Sequence, residues 1–454
     1  MADKKKTFIS SSPERVFLVG VDLFGANHML PIQDSISELS LLSKTAGLVV
    51  VGELIQKLNK PNVETYIGPG KAVELKSLAE ETNADVVIFD DELSPRHLRE
   101  LEKILGGNIR VLDRTALILD IFAQHARTND GKLQVELAQY EYYLPRLTRA
   151  WTHLERQAGG GGGRSGSVGG VGLRGPGETQ LEVDRRKIRH RIASLKVQIE
   201  KFRSHRMRYR SKRKKNRLPI VVIIGYTNAG KSTLLNKLAG ANIQVANQLF
   251  ATLDPTTRRV DLPDGFSALF TDTVGFIQKL PTTLIAAFHA TLEEIAEADL
   301  LLHVLDISHP NALNHYKIVN QTLKLIDASN IPVITALNKV DRLSHSQSAI
   351  EILKNYEKSV AISARNEMGL SDLLELIKKE LFESYQYINV RLPYYEGSLI
   401  SLFHEVGVVQ QIVHARGAVT ISGRLPVRYL AQFSRWRQNG KILSSPASDR
   451  EDKS

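Results

Sequence analysis

Between the apolar run Pro219 to Ile224 and the helix-forming stretch Ser232 to Leu238 lies Gly225-Tyr226-Thr227-Asn228-Ala229-Gly230-Lys231-Ser232, a GxxxxGKS sequence. Few features restrict a fold as much. The run is short, continuous and rich in Ile and Val, as a parallel strand buried on both faces is. The backbone N–H groups of the loop then open onto a helix N-terminus, where the peptide dipoles also favour an anion. The loop is expected to wrap a β-phosphate. Lys231 would reach the β- and γ-phosphates, and the Ser232 hydroxyl, followed by Thr233, would ligate Mg²⁺. Alone, such a loop can be a glycine turn and nothing more; the sequence downstream decides.

Three further motifs follow in order: Asp272-Thr273-Val274-Gly275, Asn338-Lys339-Val340-Asp341 and Ser363-Ala364-Arg365. The Asp341 carboxylate can accept from guanine N1–H and from its 2-amino group. Adenine offers neither donor, and unpaired acceptors reject the wrong base more strongly than shape does. The chain therefore reads as a GTP- and GDP-binding protein and a GTP hydrolase. The runs Phe266 to Phe270, Leu300 to Leu305 and Ile331 to Leu337 supply further strands, each ending at or beside a carboxylate or motif. Open α/β sheets bind ligands at such strand ends. Asp272 is expected to hold Mg²⁺ through water, and the Gly275 N–H to meet the γ-phosphate. Phe250-Ala251-Thr252-Leu253-Asp254-Pro255-Thr256-Thr257 occupies the place of a first switch segment. Thr252 is its expected Mg²⁺ hydroxyl, with Thr256 and Thr257 as alternatives. Lys231, Thr252 and Gly275 form the candidate catalytic set.

Two residues in this region qualify the chemistry. Many GTPases carry a water-orienting Gln directly after Asp-x-x-Gly; here the position holds Phe276, which can neither orient nor activate water. Slow unaided hydrolysis is expected, with a docked partner completing the site. Asn228 is a candidate K⁺ ligand beside the phosphates, and equally a residue that tolerates a turn.

The chain has 454 residues, room for about three domains. It contains no cysteine, which excludes disulfides, thiolate metal sites and thiol nucleophiles. Met1 to Ser12 is polar and lysine-bearing, without the apolar core of a signal peptide. No apolar stretch approaches the ~18 residues of a membrane span. A cytoplasmic, monomeric protein without stable membrane insertion is expected.

The net charge of +11 is concentrated in one place. Arg185 to Arg217 holds 16 Lys or Arg and a single acid, Glu200, so this segment is net +15 and the remainder net −4. A solvated helix face is the bland reading, but this density is the footprint of a polyanion binder. Candidate RNA contacts are Arg203, Arg206, Arg208, Arg210, Lys212, Arg213, Lys214 and Lys215. The same segment carries Leu181, Ile188, Ile192, Leu195, Ile199 and Phe202 at helix-packing spacing. Upstream, Leu133, Leu137, Tyr140, Leu144, Leu147, Trp151 and Leu154 repeat it. Between the two seams, Gly159 to Gly177 has 11 glycines in 19 residues. Two seams across a flexible loop predict an antiparallel helical hairpin, whose first arm could project about 40 Å. Pro145 should kink or restart that arm. Arg164 and Arg174 in the tip loop are further RNA candidates. Gly170-Val171-Gly172-Leu173-Arg174-Gly175 matches a dinucleotide fingerprint, but no strand precedes it and Pro176-Gly177 follows, so that reading is rejected.

Residues 13–125 alternate strand and helix signals and predict a small parallel α/β domain after a disordered tail at 1–12. Its strands are expected at Val16 to Val21, Leu48 to Val51, Val86 to Phe89 and Ile109 to Leu112, with helices near Ile32 to Lys44, Ala72 to Glu81, Pro95 to Ile104 and Thr115 to Gln124. Ile67-Gly68-Pro69-Gly70-Lys71 reads as a turn and helix cap rather than an anion site. The hairpin spans 126–216, with its tip loop at 159–177, and the P-loop GTPase domain spans 217–384. A small mixed α/β domain spans 385–443, and a disordered tail 444–454.

Arg174-Gly175-Pro176-Gly177-Glu178-Thr179-Gln180-Leu181-Glu182, the phosphate loop through Thr233, Phe250 to Arg258 and Asp272-Thr273-Val274-Gly275-Phe276 together resemble the HflX family of ribosome-associated GTPases. The resemblance covers nearly the whole chain. It implies an N-terminal α/β domain carrying a helical hairpin, then a GTPase domain and a short C-terminal domain. It further implies binding to the large ribosomal subunit and its RNA, with the hairpin tip near the peptidyl-transferase region, and splitting or rescue of stalled ribosomes in the GTP state. It supports Thr252 as the Mg²⁺ hydroxyl and the ribosome as the activator that Phe276 requires. Gly159 to Gly170 is longer and richer in glycine than the family's common form. Two other readings share parts of this chemistry: a ribosome-assembly GTPase, and a GTP-dependent regulator that binds an acidic protein or a membrane surface.

Overall fold

The computed structural model describes residues 13–25, 29–147, 180–216, 218–240, 249–250, 255–279, 295–343, 356, 358–382 and 385–438; at 180–181, 203, 205–216 and 428 only the backbone is described. Three sheets organise these residues.

The first sheet has strands β1 (Arg15–Leu23), β2 (Val49–Leu58), β3 (Val86–Phe89) and β4 (Arg110–Asp113), in the order β2-β1-β3-β4. All pairings are parallel. Successive strand side chains point to opposite faces, and β1 uses both faces. Val16 and Leu18 pack with Ile36, Leu39 and Leu42 of α1 (Ile32–Thr45) and with Leu117 to Phe122 of α4 (Arg114–His125). Phe17, Val19 and Val21 pack on the other side with Leu75 and Ala79 of α2 (Pro69–Glu81) and with Leu98 and Leu101 of α3 (Pro95–Leu105). Helix starts follow local capping chemistry: the side chains of Ser94 and Asp113 accept from His97 N and Ala116 N. Gly68 is the N-cap of α2, with Gln56 Oε1 accepting from its N–H, and Pro69 to Lys71 form the helix's first turn.

The hairpin begins with α5 (Asn129–Tyr143), capped by Thr128, and α6 (Gln180–Asn216), a single helix of 37 residues, runs along it. Arg191 makes two bonds to Glu136 at 2.8 and 3.0 Å, Lys196 pairs with Glu141 at 2.8 Å, and Arg185 reaches Leu147 O. The first arm breaks at the proline: α5 ends at Tyr143 and a 3₁₀ turn, Leu144–Arg146, takes over at Pro145. Proline lacks the N–H that the helix needs there. Of the seam on α6, Leu195 is buried whereas Phe202 is exposed. The tip loop, Trp151, Leu154, Arg164 and Arg174 lie outside the described residues, as do the side chains of Arg203, Arg206, Arg208, Arg210, Lys212, Arg213, Lys214 and Lys215.

The second sheet comprises β5 (Ile220–Gly225), β6 (Thr256–Asp261), β7 (Ser267–Asp272), β8 (Leu300–Asp306), β9 (Val333–Asn338) and β10 (Ser359–Ala361), ordered β10-β9-β8-β5-β7-β6. Only the edge strand β6 runs antiparallel among the described strands. Helices α7 (Lys231–Leu238), α8 (Ala312–Leu325) and α9 (Leu370–Phe382) cover it. The third sheet is antiparallel, β11 (Tyr385–Pro393), β13 (Ala418–Pro426) and β12 (Val408–Ala415) in spatial order, packed on Phe403 of α10 (Gly397–Val406). Val427 to Phe433 forms a 3₁₀ turn, Val427–Tyr429, followed by the short α11 (Leu430–Phe433). Among the described residues no helix is long and apolar enough to cross a membrane.

Residues flanking the second sheet join one of the first sheet's core clusters. Tyr226, Leu249, Phe250, Ile277 and Ile318 belong to the cluster that α1 and α4 form, and Phe250 meets the Phe122 ring at 4.6 Å. Arg114, whose side chain is 2% exposed, pairs with Glu38 and, at 2.7 Å, with Asp90. Removing one partner of such a buried pair costs about 3–5 kcal/mol, because the other charge is left without compensation.

Candidate nucleotide site

Each motif sits where a strand of the second sheet ends. Gly225 closes β5, Asp272 closes β7, Asp306 closes β8 and Asn338 closes β9. The loop between β5 and α7 turns through Gly230 at φ +101°, a conformation that L side chains rarely adopt. A Cβ there would also lie 2.4 Å from Asn338 Nδ2. Asn338 is buried and binds two loops together: its Nδ2 donates to Ala229 O at 2.8 Å, and its Oδ1 accepts from Ala364 N at 3.0 Å. Lys339 donates to Asn228 O at 2.9 Å and to Asp306 Oδ2 at 2.6 Å. Asp341 follows in the turn Val340–Arg342 with its side chain exposed. Ser363 and Ala364 are buried, and Arg365 is exposed. The third and fourth motifs are thus joined to the phosphate loop by side-chain bonds.

Lys231 is 7% exposed; its Nζ donates to Tyr226 O at 2.8 Å and Gly225 O at 3.2 Å. Burial lowers its pKa to about 8, with the Asp272 carboxylate opposing the shift and the Lys339 charge adding to it. Ser232 Oγ donates to Asp272 Oδ2 at 2.6 Å. A hydroxyl and a carboxylate this close are a hard-oxygen donor pair of the kind that fits Mg²⁺ with its remaining waters. Thr273 Oγ1 donates to Ile223 O at 2.8 Å, which fixes the start of the Asp272 segment on β5.

Phe276 is locked to the phosphate loop through its backbone. Its N–H donates to Gly225 O at 3.0 Å, and its carbonyl accepts from Thr227 N at 2.8 Å. The side chain is 3% exposed and packs with Val222, Ile224, Ile295 and Leu301. It is a core residue here. Phe250 takes φ +56°, while Ala251, Thr252, Leu253 and Asp254 lie outside the described residues. Thr256 and Thr257 belong to β6, where the Thr257 hydroxyl pairs with that of Thr271 at 2.9 Å.

Two contributions were missed in the sequence. Asp306 orients Lys339, and the only signal was a carboxylate at the end of an apolar run. The side chain of Tyr226 turns out of the loop. Its ring stacks on His315 at 3.9 Å and 6°, and its hydroxyl donates to Glu38 Oε1 at 2.5 Å. Burial and the nearby His309 lower the His315 pKa to about 4, so a neutral imidazole lies under that ring.

A phosphate loop between strand and helix, with Asp-x-x-Gly and Asn-Lys-x-Asp at neighbouring strand ends, defines a P-loop GTPase. Family models match three consecutive stretches: a GTP-binding GTPase N-terminal region over 33–123, a GTP-binding GTPase middle region over 125–213, and a 50S ribosome-binding GTPase domain over 220–339. GTPase HflX of Alkalihalophilus pseudofirmus is 46% identical over 412 residues, covering 90% of this chain and 93% of that protein. GTPase HflX of Caldanaerobacter subterraneus is 47% identical over 362 residues, 80% of each. The Escherichia coli GTPase HflX is 42% identical over 396 residues, 87% of this chain and 90% of the relative. A solved GTP-binding protein from Sulfolobus solfataricus in complex with GDP aligns with 81% of this chain and 99% of its own, at 22% identity and a TM-score of 0.42. The chain belongs to the HflX family of GTPases and is a GTP hydrolase.

Proposed function

We propose that this GTPase binds the large ribosomal subunit in its GTP state, splits or rescues stalled ribosomes in the cytoplasm, and hydrolyses GTP under stimulation by the subunit. The observation that carries the reading is the net +15 over Arg185 to Arg217, nearly all of it on the single helix α6, which three residues in sequence separate from β5 and the phosphate loop. A polyanion bound along that helix would act on the segment that continues in sequence into the phosphate loop. The 50S ribosome-binding description of the matched GTPase domain supports the choice of polyanion.

At the site, Asp341 would accept from the guanine edge while Asn338 holds the phosphate loop against the loop at Ser363-Ala364-Arg365. Lys231 would exchange its two backbone carbonyls for the β- and γ-phosphates. Ser232, Thr252 and, through water, Asp272 would hold Mg²⁺, which when bound neutralises phosphate charge. The Gly275 N–H would meet the γ-phosphate. Asn228, at φ +60° in the loop, would supply a K⁺ ligand beside the phosphates.

With Phe276 packed in the core, no side chain at that position can orient the attacking water. Turnover is therefore expected to be low alone and to rise by about a thousandfold with purified large subunits, the lower end of the range that an activator supplying a missing catalytic group contributes. Multiple-turnover phosphate release in K⁺ buffer measures this, and equal rates with and without subunits would refute partner activation. Replacing K⁺ with Na⁺ should lower the stimulated rate markedly if Asn228 binds K⁺, and leave it unchanged if Asn228 is only a turn residue.

A further inference from the structure

The segment after Gly275 is held on the N-terminal sheet by a set of side-chain bonds that nucleotide chemistry alone does not require. Gln278 N donates to the Tyr226 hydroxyl at 3.0 Å, and Gln278 Nε2 donates to Ser35 Oγ at 2.6 Å. Lys279 Nζ lies 2.5 Å from Asp90 Oδ2 and 2.5 Å from Asp91 Oδ1. These acceptors are themselves fixed. Ser35 Oγ donates to Asp90 Oδ2 at 2.6 Å, and Arg114 holds Asp90 on one side and Glu38, the partner of Tyr226, on the other. Asp90 and Asp91 follow β3 at the carboxyl end of the sheet, where the order β2-β1-β3-β4 reverses direction. An open α/β sheet offers its ligand crevice at that point. Here a lysine of the GTPase domain fills it.

Gly275 is four residues before Lys279, and it is pressed against the phosphate loop. A Cβ on Gly275 would lie 2.8 Å from Thr227 Cα and 2.9 Å from Lys231 Nζ. A γ-phosphate that touches both the Lys231 ammonium and the Gly275 N–H has to part them. GDP, which lacks that phosphate, makes no such demand. Moving Gly275 away while Phe276 to Lys279 stays docked would stretch four consecutive residues whose far end is pinned by two carboxylates.

We infer that Gln278, Lys279 and the Tyr226 hydroxyl are specificity-determining residues for the nucleotide's third phosphate: by tethering the Gly275 segment to Ser35, Glu38, Asp90 and Asp91, they lower the preference for GTP over GDP. By thermodynamic reciprocity, GTP weakens the same tether. This inference rests on the reading that Gly275 meets the γ-phosphate.

Lys279→Met keeps most of the aliphatic stem, and Asp90 retains Arg114 and Ser35, so the buried carboxylate is not abandoned. The affinity ratio of a non-hydrolysable GTP analogue to GDP should rise about tenfold in Lys279→Met, the equivalent of one charge-assisted hydrogen bond. It should rise by a smaller factor in Tyr226→Phe, which preserves the ring over His315, and return toward the parent value in Lys279→Arg. If both nucleotides weaken together and the ratio stays constant in all three variants, the residues are structural only and the inference is overturned. Amide hydrogen exchange across 275–279 in the parent separates the two levels. Exchange in this segment that differs between the GTP analogue and GDP, combined with a constant ratio, removes the tether alone. Exchange that is the same with both nucleotides removes the reading of Gly275 and the tether with it.

Discussion

Asp341→Asn is expected to lower GTP affinity by at least about a hundredfold and to leave xanthosine triphosphate the better ligand. A carboxylate accepts from guanine N1–H and the 2-amino group, whereas the amide presents an N–H₂ toward that edge and leaves a donor facing a donor. Sites that hydrogen-bond a polar edge discriminate more strongly than hydrophobic pockets, because the mismatch leaves buried polar groups without partners. Xanthine carries a carbonyl where guanine has its amino group and so accepts from the new amide. Asp341 is exposed in the present structure, in a turn that begins at Lys339. Its substitution should therefore spare the fold and the Asn338 bonds to Ala229 and Ala364. Equilibrium binding of GTP, XTP, ITP and ATP to parent and variant tests this. An unchanged preference for GTP would remove Asp341 from the base site.

The second large effect is expected from the basic arm. Substituting Arg208, Arg210, Lys212, Arg213, Lys214 and Lys215 with Gln retains helix-compatible side chains on α6 and removes six positive charges. Each charge that neutralises a phosphate releases a counterion, worth roughly 0.7–0.9 in the slope of log affinity against log salt. Ribosome affinity should fall by about a hundredfold or more at low salt, and the slope should flatten by up to about 4 to 5. GTP affinity of the isolated protein should hardly change, since none of these positions belongs to the nucleotide motifs. Equal affinity of parent and variant at every salt concentration would make the segment a solvated helix. Contact with RNA would then pass to the glycine-rich tip or the C-terminal sheet.

The parts of this fold that could be read in advance are those whose cause is local. β1 and β3 are short runs of Val, Ile, Leu and Phe buried on both faces, and such runs have little alternative. The phosphate loop, the Asp272 segment and Asn338 follow from motif chemistry. Edge strands were less legible. β2 continues to Leu58 through Glu53, Gln56 and Lys57 because it pairs with the full length of β1, and no apolar run announces that. β6, Thr-Thr-Arg-Arg-Val-Asp, is a strand because β7 offers it an antiparallel edge. Phe276 was legible as an absence of Gln but not as a core residue, since its burial depends on Val222, Ile295 and Leu301 from three other segments. The tether between the domains could not be read at all. Glu38 and Tyr226 are 188 residues apart, Ser35 and Gln278 are 243 apart, and each is an ordinary polar residue in its own neighbourhood.

Everything proposed for this protein's function turns on whether GTP lets it engage the large ribosomal subunit. Sucrose-gradient sedimentation of intact ribosomes with the full-length protein, in parallel with a non-hydrolysable GTP analogue and with GDP, measures that directly. With the analogue, the protein is predicted to migrate with large subunits while the intact-ribosome peak falls and free small subunits appear; with GDP the profile should remain that of ribosomes alone. If the protein stays at the top of the gradient with both nucleotides and the ribosomes remain joined, the proposed function is contradicted.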